Sequence, residues 1–437
     1  MSIRANLAMG AAAVWLAAGP VSAQTPAGGD QAVYQGLATA AGARSVALAP
    51  RPDGGVVIGG TLDGRQFALA VPKAWNHQAV LFAHGYSMPD SSTAVSSDPV
   101  DKDPALGLLA LAYSQGFAVG HSAYDKAGVG VESGAKATLR LEELVERLGS
   151  TRTYVGGGSM GGSIVMALLE QHPRTFAGGL SACGVTDSWE REIGGLIDMR
   201  AAYNVFTRGT PYALPGEQDV ARSALPTLPP AGSATPLASF QTGQVIKIAA
   251  PIMRLFADAR RDPHGRAAVI IRKVSSLSPF DPDPAAFVFP LVTATLGMDD
   301  MRATFGGNVY GNRAKTYASP ALTAAEAAAL NRDVQRIDAD KAAIAYAHVW
   351  HQSEGRFSVP LVAIHNQIDP LVPYAQAQGL EARVMAHGDP RLLTMITVPP
   401  ERAAIPGAGV LGYVHCGFTA EQMTSAWSTL RAQVETR

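Results

Sequence analysis

Short apolar runs of strand length alternate along this chain with stretches whose apolar positions recur three and four residues apart. From about residue 55, Phe67–Pro72 (FALAVP), Ala79–Gly85 (AVLFAHG) and Gly116–Asp125 (GFAVGHSAYD) have the length and composition of strands. In Lys136–Gly149 (KATLRLEELVERLG), Leu141, Leu144, Val145 and Leu148 fall at i, i+3, i+4 and i+7, which predicts a helix with one buried face, stopped by Gly149. Thr153–Ser159 (TYVGGGS) then reads as a strand, Met160–Pro173 as a helix ended by its proline, and Phe176–Val185 (FAGGLSACGV) as another strand.

From about Ser188 to Arg356 the alternation stops. Leu225–Phe240 is a proline-rich connector, and helices are expected around Gly243–Arg261 and Ala324–Trp350, the second opened by a Thr323/Glu326 capping box. The pattern then returns, with a strand over Val359–Asp369 (VPLVAIHNQID), a helix over Ala375–Gly388 and a last strand over Leu392–Pro400. A final helix follows, its start marked by Thr419 with Gln422 three residues on. This order predicts an α/β fold: a mostly parallel sheet with helices on both faces and a mainly helical insertion. The expected divisions are a leader over 1–23, a first core part over 24–187, an inserted cap over 188–355 and a second core part over 356–437.

The first residues have the form of a secretory signal peptide. Arg4 supplies a positive start, Ala5–Gly19 is apolar, and Val21-Ser22-Ala23 offers the small residues of a cleavage site. The apolar run is shorter than the roughly 20 residues a membrane span needs, so cleavage after Ala23 and a secreted or periplasmic protein without a membrane anchor are expected. Of 35 basic and 36 acidic residues only Arg4 lies in that leader, leaving 34 against 36. A balance so near neutral argues against a nucleic-acid partner. The two cysteines, Cys183 and Cys416, would be free to pair in an oxidising compartment.

Gly157-Gly158-Ser159-Met160-Gly161 matches G-x-S-x-G between a predicted strand and a predicted helix, where a sharp turn lifts a serine hydroxyl clear of a sheet. A serine needs a base and an orienting carboxylate to act as a nucleophile. His415 lies between the last strand and the last helix, and Asp369 ends the strand before a Pro-Leu-Val-Pro turn. All three candidates sit at carboxyl ends of predicted strands, where reacting groups gather on open α/β sheets. His121 and Asp125, read as sharing one strand, lack further ligands at metal spacing. No phosphate loop or dinucleotide fingerprint occurs, and neither cofactor nor metal is expected.

With these residues in view the chain resembles an α/β-hydrolase. The order Ser159, Asp369, His415 is that superfamily's order, NQIDPLVP is similar to its G-x-x-D-x-x-V-P with Asn366 in place of glycine, and Tyr124–Ser133 resembles its D-x-R-G-x-G-x-S, departing at Ala127. The resemblance covers about 55–187 and 356–437. It implies a secreted serine esterase acting on a small-molecule or oligomeric ester, with an oxyanion hole from the Met160 N–H and from Tyr86 in the turn after His84-Gly85. Asp187 stands as the alternative acid. Tannase and feruloyl-esterase relatives staple the residue beside the catalytic histidine, which implies a Cys183–Cys416 disulfide. Their partner cysteine directly precedes the serine, however, where Gly158 stands here. Other readings of the same triad are a peptidase of prolyl-oligopeptidase type, an acyltransferase, a carbon–carbon bond hydrolase and an inactive binding module.

Overall fold

A computed structural model describes residues 28–405 and 409–437, so the expected leader lies outside the described residues. Nine strands form one sheet: β1 (Arg44–Pro50), β2 (Val56–Leu62), β3 (Arg65–Val71), β4 (Gln78–Ala83), β5 (Ala118–Ser122), β6 (Arg152–Gly158), β7 (Gly178–Ala182), β8 (Leu361–Asn366) and β9 (Leu393–Val398). Their spatial order is β1-β2-β3-β5-β4-β6-β7-β8-β9. The β1, β2 and β3 pairings are antiparallel, and every pairing from β5 through to β9 is parallel. A two-stranded hairpin, β10 (Arg402–Ala404) with β11 (Leu411–Tyr413), stands apart and leads directly to His415.

The helices are α1 (Gly28–Ala40), α2 (Leu108–Ser114), α3 (Val131–Arg147), α4 (Met160–Gln171), α5 (Trp189–Thr207), α6 (Leu237–Arg261), α7 (Arg266–Ser275), α8 (Pro284–Leu296), α9 (Met298–Phe305), α10 (Ala324–Asp333), α11 (Lys341–Trp350), α12 (Ala375–His387) and α13 (Ala420–Glu435). The pleat of β6 shows why both faces of the sheet need cover. Val155 enters the core with Ile164 and Val165 of α4, whereas Tyr154 packs on the other face against Trp427 of α13, ring centroids 5.1 Å apart.

The Thr323/Glu326 and Thr419/Gln422 capping boxes are both present. Three local expectations are corrected. The predicted helix over 324–350 is two helices: Val334 and Ile337 turn inward between them, and the Asn312 side chain takes the Ile337 N–H at 2.8 Å. Helix α3 starts at Val131 rather than Lys136, because Gly134 lets its first turns lie close against Ile164 of α4. Asp125 lies beyond β5, paired with Arg65 at 2.5 Å, while His121 bonds Ser96 Oγ at 3.0 Å, so these two do not meet.

Helices α5 to α11 all lie between β7 and β8. Several of their contacts with the rest of the chain fall at loops beyond the carboxyl ends of the parallel strands. Gln241 of α6 bonds Ser91, Asp300 of α9 takes the Lys126 ammonium and the Val129 N–H, and Asp283 before α8 holds the β10–β11 hairpin.

Candidate active site

The chain has the α/β-hydrolase fold, extended at one edge by β1, and that fold gathers reacting groups where the parallel strands end. Ser159 falls between β6 and α4 with φ 55° and ψ −124°. A residue with a Cβ adopts such angles only where its surroundings over-determine them. Here the Ser159 N–H donates to Ala182 O at 3.0 Å, and its carbonyl accepts from Gly162 N at 2.9 Å and Val185 N at 3.2 Å. The close approach of α4 to β4 needs a residue without a side chain, since a Cβ on Gly161 would collide with the Ala83 carbonyl.

His415 Nε2 lies 2.9 Å from Ser159 Oγ, and its Nδ1 lies 2.7 and 2.9 Å from the two oxygens of Asp369. The fold thus brings the three residues into one hydrogen-bonded chain. Asp369 is fixed further: the Leu371 and Val372 N–H groups donate to its Oδ1 at 2.9 Å each, and the Cys416 N–H to its Oδ2 at 2.9 Å. Burial alone would push the Asp369 pKa up, but the adjoining His415, the nearby His365 and the Cys416 N–H hold it below its ordinary value. Asp187, the alternative acid, is spent elsewhere, paired with Arg383 at 2.5 Å and Arg191 at 2.9 Å.

Met160 is the first residue of α4, so its N–H is one of those a helix start leaves without an intrahelical partner. Gly85 touches the serine: a Cβ there would stand 3.2 Å from Ser159 Cβ and 3.7 Å from Oγ. Tyr86 is the next residue, and its phenol reaches Gly297 at the junction of α8 and α9. His84 belongs to the turn itself. Its ring stacks on Tyr124 at 3.7 Å, its Nδ1 meets Gly85 O at 3.0 Å, and burial lowers its pKa.

The Sγ atoms of Cys183 and Cys416 are joined, with Cα atoms 5.4 Å apart. Like Ser159, both cysteines have positive φ, 47° and 54°.

Several supporting residues escaped the sequence reading. Asn366, noted only as a departure from glycine, donates through Nδ2 to Gly417 O at 2.8 Å and so ties β8 to the segment after His415. Asp283 caps α8, and the signal was there in an aspartate preceding a proline at a helix start. Glu192, on the first turn of α5, is buried beside Gln376, and nothing in its sequence neighbourhood marks it. Of the insertion aromatics, Trp189, Tyr203, Phe280 and Phe287 are buried in the core, while Phe206 and Tyr310 pack partly buried at its edge and Phe289 is half-buried.

Residues 135–194 match the prolyl oligopeptidase family. No curated protein matches the chain in sequence. Among solved structures it is similar to feruloyl esterase B from Aspergillus oryzae, at 12% identity over 90% of this chain and 87% of that one with TM-score 0.48. It is also similar to another esterase from Aspergillus oryzae, at 13% identity, 92% and 90% coverage and TM-score 0.46. The rice cell wall degrading esterase of Xanthomonas oryzae shares 13% identity over 92% of each chain, with TM-score 0.39.

Proposed function

We propose that this protein is an exported serine hydrolase that cleaves carboxylic esters through an acyl-enzyme. The observation that carries the reading is the unbroken chain of hydrogen bonds from Ser159 through His415 to Asp369. Ser159 Oγ attacks the acyl carbon while His415 Nε2 takes its proton. Asp369 holds Nδ1 and stabilises the imidazolium that forms. The oxyanion is received by the N–H groups of Met160 and Tyr86, the former at the positive end of α4. His415 then protonates the leaving alcohol, and water, deprotonated by the same nitrogen, releases the acid and restores Ser159.

The seven helices from α5 to α11 serve in this reading as a cap over Ser159 that selects the substrate. The leader-like residues 1–23 and the joined cysteines support export. The match to the prolyl oligopeptidase family favours a second reading, a serine peptidase. Its residues 135–194 cover the elbow and its flanking elements, which ester and amide hydrolysis share.

One experiment separates the readings. Purified protein is assayed on acyl, feruloyl and oligomeric esters beside peptide amides, with Ser159→Ala and His415→Ala as controls. Ester turnover that falls at least about a thousandfold in both variants is expected. Turnover of peptides alone would replace the esterase with the peptidase, and near-normal turnover by Ser159→Ala would sink both.

A further inference from the structure

Cys183, Asp369, His415 and Cys416 each present one ligating atom, and these four atoms lie within 4.8 Å of one another. Two sulfurs and an imidazole make a donor set that suits zinc, with the carboxylate placed to orient the imidazole. While the sulfurs are bonded to each other, neither offers a thiolate.

We propose that reduction of the Cys183–Cys416 bond converts this corner of the active site into a tetrahedral binding site for a thiophilic divalent cation, zinc foremost. The cation binds both thiolates and His415 Nε2, with water in the fourth position, and it thereby takes the base away from Ser159. Cys416 Sγ is already 3.5 Å from His415 Nε2. That is the edge, about 3.5 Å, of a tetrahedron with ordinary zinc–sulfur and zinc–nitrogen bonds. The two sulfurs must part to about 3.8 Å, the corresponding sulfur–sulfur edge. Their Cα atoms, 5.4 Å apart, allow this by side-chain rotation.

Asp369 keeps its place on Nδ1, giving the carboxylate–histidine–metal arrangement that orients a ligand imidazole. Cys183 is buried, but Cys416 is only partly buried and the His415 side chain is 15% exposed, so the Cys416 and His415 side of the site is open to a cation. A thiol-disulfide exchange with a small dithiol supplies the two electrons and two protons and leaves that dithiol as its own disulfide. Each thiol then gives up its proton as the metal binds.

The inhibition rests on the esterase reading above, whereas the metal uptake does not. The test therefore reads the metal first. The protein is reduced with a water-soluble phosphine, which becomes its oxide with oxygen from water as the S–S bond gains two hydrogens. It is then desalted without air and titrated with cobalt(II) and with zinc.

Reduced wild type should take up one equivalent, with thiolate-to-cobalt charge-transfer and tetrahedral d–d bands. Zinc should displace the cobalt, block fluorophosphonate labelling of Ser159 and raise the Tm. Oxidised protein, Cys183→Ser and Cys416→Ser should show neither the bands nor the Tm shift. Asp369→Asn should bind about tenfold to a hundredfold more weakly. Cobalt bands unchanged in Cys183→Ser, or reduced wild type without bands, would overturn the proposal. A reduced chain that unfolds and does not regain its circular dichroism with zinc would overturn it equally. Bands without loss of Ser159 labelling would retain the site and refute the inhibition.

Discussion

Replacing Asp283 with alanine tests how firmly the insertion holds the hairpin that carries His415. One carboxylate does two jobs. Its Oδ1 caps α8 by accepting the Ala285 N–H at 2.9 Å, and it also accepts the Tyr413 N–H at 3.1 Å. Its Oδ2 takes Arg402 Nη2 at 2.6 Å, and that guanidinium stacks over the Tyr413 ring at 4.7 Å. Loss of a helix cap costs about 1 kcal/mol, and an amide left without its acceptor about 1 kcal/mol more. The Arg402 side chain is 48% exposed, so breaking its ion pair adds less than about 1 kcal/mol. Asp283→Ala should therefore lose about 2–3 kcal/mol in urea unfolding followed by tryptophan fluorescence. Asp283→Asn keeps an oxygen for both amides and should lose about 1 kcal/mol or less. Tyr413 lies two residues before His415, so hairpin displacement in the alanine variant should lower kcat on a small ester about tenfold to a hundredfold with KM little changed. An alanine variant within about 0.5 kcal/mol of wild type, below the range for losing even the cap alone, would refute the reasoning.

Three further outcomes are expected. Asp369→Asn preserves the shape of the acid but not its charge, and ester turnover should fall by about ten-thousandfold; a loss of only a few fold would remove Asp369 from its role. Burial pushes the Glu192 carboxyl up from 4.5 to about 8, partly opposed by its bond from Gln376. The native form thus keeps a proton that the unfolded chain has lost. Stability present below about pH 4.5 should decline up to about pH 8, by at most about 1.4 kcal/mol per pH unit. Glu192→Gln should flatten that slope in a pH series of unfolding curves, and an unchanged slope would assign the decline elsewhere. Gly161→Ala should cost about 2 kcal/mol or more, because its Cβ meets the rigid Ala83 carbonyl; a Tm equal to that of wild type would show that α4 can retreat.

What the chain reveals locally is whatever its near neighbours decide. The periodic stripe of α3, the strand-to-helix turn at Ser159 and the caps at Thr323 and Thr419 all rest on interactions within a few residues, and each is legible in the sequence. Helix α5 shows no periodic stripe, because it is buried on nearly every side, and its one local mark is the Ser188 cap. The antiparallel edge pair β1–β2 was also illegible: its residues take strand form by pairing across the sheet edge. The candidate site divides in the same way. Its residue types and their chain order follow from motif and position, but their meeting does not. Ser159 and His415 are 256 residues apart, Cys183 and Cys416 are 233, and the Asp283 that steadies the hairpin is 130 from Tyr413. Such contacts depend on how whole layers pack, so only the tertiary structure decided which buried carboxylate faces the imidazole, Asp369, and which is neutralised by arginine, Asp187.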